Sequence, residues 1–151
     1  MHCSNVLTHA LLASDPLANI ILIQEPWYGH IGTCWSDTDP AGTNTLRGVT
    51  SPLWNFIYLG LVNPGTMQAK VMAYFHKTNP IFTVSNCLDL VSYLSLITLE
   101  VIVGKGNDHF LITNIYHNTN DPTCLQMLFD ANFNPTIPAI FIGDFNTHSP
   151  T

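Results

Sequence analysis

Charge is what this chain has least of. Only 9% of its residues are Asp, Glu, Lys or Arg, against about 25% in an ordinary soluble chain. Arg47, Lys70, Lys77 and Lys105 are its only fixed cations, and the formal net charge is −6. Strong non-specific binding to nucleic acid scales with the number of Lys and Arg contacts to phosphate, so the composition argues against it. Two readings of the acidity stay open: a generic acidic protein, or an acidic site whose bound cation supplies positive charge to a phosphate. Cysteine is sparse too. Cys3, Cys34, Cys87 and Cys124 lie far apart and form no CxxC, which excludes a zinc ribbon or a redox pair and leaves buried free thiols as the expectation.

Residues 1–13 have no basic start and no long apolar core, so a secretory signal is not expected. The most apolar region, residues 87–103, is interrupted by Asp89 and Glu100. It is too short and too charged for a membrane span, which points to an intracellular protein without a membrane partner. There is no internal repeat and no low-complexity tract. Hydrophobic residues reach 46% and mean hydropathy is +0.21; that combination excludes disorder and leaves apolar surface exposed if the chain folds alone. The length of 151 residues fits one domain or part of one.

Hydrophobic spacing orders the elements. Ser4 or Asn5 caps a helix through Val6, Leu7, Ala10 and Leu11, with Asp15-Pro16 stopping it and His9 on its surface. Residues 18–24 form the first strand; the unbroken aliphatics Ile20 to Ile23 place it inside a sheet, with both faces covered. Residues 27–52 read as a long irregular loop. Strands follow at 54–62, 70–76, 88–93, 97–103 and 109–116, with turns at Asn63-Pro64-Gly65 and at 104–108. Successive short strands favour a largely antiparallel sheet. Asp121-Pro122 opens a second helix with Cys124, Leu125, Leu128 and Phe129 as its apolar stripe. A buried strand at 137–142 closes the series.

The last strand runs into Gly143-Asp144-Phe145-Asn146-Thr147-His148. On extended backbone Asp144, Asn146 and His148 share one face. A carboxylate, an amide and an imidazole together can coordinate a hard cation and position a water. His117 and His148 are both general-acid candidates by residue type.

Ile142-Gly143-Asp144-Phe145-Asn146 resembles the Gly-Asp-Phe-Asn signature of the endonuclease/exonuclease/phosphatase superfamily. Ile20-Ile21-Leu22-Ile23-Gln24-Glu25-Pro26-Trp27 resembles that family's strand ending in Gln-Glu, and Asn114-Ile115-Tyr116 resembles its Asn-x-Tyr block. The order of the three blocks is also that of the family. The likeness is strongest to the apurinic/apyrimidinic-type endonuclease domains of non-LTR retrotransposons, where Gln-Glu-Pro-Trp is a familiar variant, and it spans most of the chain.

The resemblance implies an α/β fold: a four-layer α/β-β/α sandwich of the DNase I-like type, incomplete, with residues 1–151 forming a single partial domain. It implies hydrolysis of DNA phosphodiester bonds with Mg2+ or Mn2+. Glu25 would be the metal ligand, Asp144 would orient or deprotonate the attacking water, Asn146 would hold phosphate and carboxylate, and Tyr116 would donate a hydrogen bond beside the phosphate. Asn118 and His148 would contact substrate, although Asn118 follows Tyr116 more closely than the family pattern does. In the family, loops at this face border the substrate, so the resemblance implies that His30, Trp35 and Arg47 would meet DNA, with Trp35 either stacking on bases or packing the loop. The family's Asp-His pair has no counterpart before Thr151, and Asn5 sits too far along to replace the family's first-strand Asn. Impaired turnover is therefore expected, because loss of one member of a catalytic set costs many orders of magnitude. Open sheet edges make self-association a further expectation. The rivals are a catalytically dead fragment of such a domain, and a phosphatase-type member of the same superfamily.

Overall fold

The computed structural model describes residues 5–13, 18–26, 29–30, 46–47, 49, 51–57, 69–78, 81–87, 89–104 and 108–146. In chain order the elements are α1 (Asn5–Ala13), β1 (Ile20–Gln24), β2 (Gly29–His30), β3 (Leu46–Arg47), β4 (Trp54–Ile57), β5 (Val71–His76), β6 (Phe82–Asn86), β7 (Ser92–Tyr93), β8 (Leu96–Val103), β9 (His109–Tyr116), α2 (Thr123–Asp130) and β10 (Ala139–Asp144).

Two sheets stack face to face. One has the order β1-β5-β4, all antiparallel. The other has the order β10-β9-β8-β6, with β7 also on β8; only β10 runs parallel to its neighbour. Strand alternation divides the apolar residues between the two faces of each sheet. Val71 and Ala73 of β5 meet Ile97 and Leu99 of β8 between the sheets, joined by Ile20, Leu22 and Tyr116. On the outer face of the first sheet, Leu12 of α1 packs with Ile23, Trp54, Met72 and Tyr74. The Trp54 indole N–H donates to the Leu12 carbonyl at 3.1 Å, which satisfies its one polar group inside that core. On the outer face of the second sheet, Cys124, Met127 and Leu128 of α2 cover Val91, Leu96 and Ile115. The result is an α/β sandwich with one helix against each outside face.

Several sequence expectations need correction. The aliphatic run of β1 is covered on both faces, as read, but the strand is not interior: among the described strands it pairs with β5 alone. A continuous apolar run reports cover above and below a strand, not neighbours beside it. Of the 54–62 strand, the described part is Trp54–Ile57; residues 58–62 and the 63–65 turn lie outside the described residues. Residues 89–90 form a turn, and among the described residues of the expected 88–93 strand only Ser92–Tyr93 pairs; Leu90 and Val91 serve the core beneath α2 instead. The longer partner of β8 on that edge is β6, Phe82–Asn86, which the hydrophobic pattern does not predict. Within the expected loop at 27–52, β2 and β3 form a short antiparallel pair.

The α2 stripe is rotated from the expected one. Phe129 is 80% exposed, while Met127 packs inward beside Cys124 and Leu128. The helix starts at Thr123, whose N–H donates to Asp121 Oδ1 at 3.1 Å. Finally, β10 is not buried: Ile140, Phe141 and Ile142 are 46%, 43% and 44% exposed. Ile140 and Ile142 face the same side of their sheet as Ile112 and Asn114, but no described strand beyond β1 extends over them.

Candidate functional site

The site is built where β1 ends in one sheet and β9 and β10 end in the other. Gln24 closes the β1–β5 ladder, and Glu25 follows with its N–H donating to the Lys70 carbonyl at 2.7 Å. Glu25 has φ 47, in the left-handed region. That conformation costs a non-glycine residue about 1–2 kcal/mol. Asn146, with φ 43, is the other non-glycine residue with positive φ among those described; asparagine tolerates it better than glutamate. Both are positions that the sequence motifs single out, and local strain of this kind concentrates at functional sites.

The structure brings Glu25 and Tyr116 together: the Tyr116 hydroxyl donates to Glu25 Oε1 at 2.9 Å. That hydrogen bond is the main reason the Tyr116 phenol titrates above the ordinary range; partial burial and the Glu25 and Asp144 charges add to it. Asp144 is the register partner of Tyr116 in the parallel β9–β10 ladder, so both side chains project from the same face. The two strand tips are locked by the His117 N–H, which donates to the Asp144 carbonyl at 2.8 Å. Gly143 permits this approach, because a Cβ there would overlap the Ile115 carbonyl.

After Asp144 the chain turns rather than continuing extended. The Asn146 N–H donates to Asp144 Oδ1 at 3.0 Å, and Asn146 Nδ2 donates to the His117 carbonyl at 2.7 Å. The expected alternation of 144, 146 and 148 on one face therefore fails at Asn146. Instead, Asn146 fixes the orientation of the Asp144 carboxylate through its own backbone. His148, Trp27 and Trp35 lie outside the described residues, as do the side chains of His30 and Arg47.

Asn118 stands apart from this cluster. Its Oδ1 accepts from the Asn120 N–H at 3.0 Å, closing the local turn that leads to Asp121. The His117 side chain is 8% exposed, and its Nδ1 has no hydrogen-bond partner among the described residues. Nearby, the Tyr93 hydroxyl donates to Asp121 Oδ2 at 3.0 Å. Hydrogen bonds from Thr123, then Tyr93, with the His117 ring adding a smaller effect, hold Asp121 below the ordinary carboxylate range.

The sequence reading gave no role to Asn114 or Gln24. Gln24 Nε2 donates to Asn114 Oδ1 at 2.7 Å, and Asn114 Nδ2 donates to the carbonyls of Ile23 at 3.2 Å and Met72 at 3.1 Å. The available signal was an asparagine inside an apolar strand, a residue that strands disfavour unless its amide is needed.

Carboxylate and amide oxygens from Glu25, Asp144 and Asn146 are hard donors, the kind that suits Mg2+ or Mn2+. Among the described residues, no three His, Cys, Asp or Glu side chains form a group able to hold a metal by themselves. Magnesium keeps several waters and is commonly held by one or two carboxylates, so this donor set is compatible with it. No helix among the described residues is long and apolar enough to cross a membrane. Compared with protein-family models, curated proteins and solved structures, the chain finds no match in any of the three.

Proposed function

We propose that this chain carries the site of a divalent-metal-dependent phosphodiesterase acting on DNA. In this reading the sandwich is an incomplete DNase I-like fold of the endonuclease/exonuclease/phosphatase type, close to the nicking domain of a non-LTR retrotransposon. One observation carries the proposal: the 2.9 Å bond from Tyr116 to Glu25, which joins the tips of two sheets beside Asp144. The three sequence blocks thus meet in space although they are far apart in the chain.

Glu25 would hold Mg2+ or Mn2+, whose role when bound is to polarise the phosphoryl group and offset charge on the leaving oxygen. The Tyr116 hydroxyl orients the Glu25 carboxylate and lies within reach of a phosphate seated there. Asp144, exposed at its strand tip, orients the attacking water or takes its proton. Asn146 holds Asp144 in place through the turn described above. Asn118 and His148 would contact substrate.

The test is nicking of supercoiled plasmid with and without Mg2+, beside Glu25→Ala and Asp144→Ala. Nicking that needs the metal and disappears in both variants supports the reading. Nicking that survives both substitutions overturns the site. Cation binding without nicking leaves the rival, a fragment that binds but does not turn over.

A further inference from the structure

We propose that Asn114, acting through Gln24, is the positioning residue that sets the Glu25 carboxylate against Tyr116. Asn114 is fully buried in the middle of β9, facing the other sheet. The buried residues packed together there are Val71, Ala73, Ile97 and Leu99, all apolar. An amide in such a place is unfavourable unless its polar atoms are bonded. Asn114 makes three bonds, and all of them cross to the facing sheet: two to the carbonyls of Ile23 and Met72, and one from Gln24. Ile23 and Met72 are register partners in the β1–β5 ladder, so one side chain holds both strands at the same level.

The spacing gives the clamp its consequence. Tyr116 lies two residues beyond Asn114, on the same face. Glu25 lies two residues beyond Ile23. Anchoring the sheets at 114 and 23 therefore fixes the meeting of 116 and 25 one pleat further on. An aliphatic side chain at 114 would fill the space between the sheets but would set no register between the strand tips. Next to the left-handed backbone at Glu25, the Gln24 amide ties the end of β1 to the other sheet a second time, beside the Tyr116 bond itself. The link to hydrolysis rests on the phosphodiesterase reading; the geometric coupling does not.

The experiment is a double-mutant cycle on Glu25→Ala and Tyr116→Phe, read by urea melts at pH 7 in the native background and in the Asn114→Leu and Gln24→Leu backgrounds. In the native background the two substitutions should be coupled through the hydrogen bond that joins them. In Asn114→Leu and in Gln24→Leu that coupling should vanish, whereas a purely structural loss would lower every melt of the cycle alike. Gln24 is half-buried, so Gln24→Leu decides the matter if Asn114→Leu does not fold. Native coupling in a folded variant, or no coupling in the native background, overturns the positioning role even if the native chain nicks DNA. Coupling lost as expected in a protein that shows no Mg2+-dependent nicking keeps the positioning role and removes the phosphodiesterase reading instead.

Discussion

Tyr116 and Glu25 are 91 positions apart and belong to different sheets, yet the phenol donates a 2.9 Å hydrogen bond to the carboxylate. Tyr116→Phe removes that donor and little else. If Glu25 holds a metal, losing a group that orients the ligand should weaken nicking by about 10–100-fold. The same bond sets a pH dependence. The folded-state pKa of Tyr116 is raised, first by the bond to Glu25. Its contribution to stability is therefore complete below the unfolded value and disappears as pH rises through the folded one. Urea melts of the native chain and Tyr116→Phe, run from pH 8 upward, should differ most at the lower end and converge at the alkaline end.

Glu25 can be made more comfortable and less useful at once. Its φ of 47 suits glycine and strains alanine. Glu25→Gly should be more stable than Glu25→Ala by about 1 kcal/mol, because glycine adopts the left-handed region without a Cβ clash. Neither variant should bind Mg2+ at this site. Equal urea midpoints for the two would show that the backbone at this position is not strained.

Gly143 tests whether β10 must lie tight against β9. A Cβ at 143 would overlap the Ile115 carbonyl, so Gly143→Ala must push the strands apart between Ile142 and Asp144. The expected loss is about 1–3 kcal/mol, the range for overpacking. Nicking should fall further than stability does, since Asp144 and Tyr116 are register partners one residue beyond the clash. A variant with native stability and native nicking would show that the ladder tolerates the displacement.

Much of this arrangement was legible in the sequence, and the illegible parts share a cause. β1, β5, β8 and β9 are apolar enough on one or both faces to announce themselves. Glu25, Tyr116 and Asp144 stand at the ends of such runs, so their role as strand-tip residues could be read directly. β6 could not: its burial alternates along Phe82–Asn86, and Thr83 and Ser85 dilute its hydrophobic signal. The run into β10 read as buried because six of its residues are apolar or nearly so, but burial depends on what the facing sheet covers. That sheet ends at β1 among the described strands. By residue type and spacing Phe129 belongs to the stripe of α2, but in the fold it points outward and Met127 takes the inward place. Asn146 escapes the alternation argument because the strand ends at Asp144 and the chain turns there, with Asn146 in the left-handed region.

Asp121 organises the start of α2, and its effect is readable in acid. Its carboxyl is held below the ordinary value of 3.8 by hydrogen bonds from Thr123, with the Tyr93 hydroxyl and the His117 ring adding to them. A group with a depressed folded pKa stabilises above its unfolded value, and that contribution is lost as pH falls through the folded value. The native chain should therefore be more stable than Asp121→Asn near pH 7, and the gap should close below about pH 4. The helix above it shields Cys124, whose thiol burial pushes its pKa up to about 11. Weakening the hold of the Asp121 carboxylate on the Thr123 N–H should loosen the first turn of α2 and expose that sulfur, so Asp121→Asn at pH 8 should be alkylated by iodoacetamide at Cys124 faster than the native chain. Equal alkylation rates at Cys124, read by mass spectrometry, would show that the helix is held by its apolar stripe without help from the carboxylate.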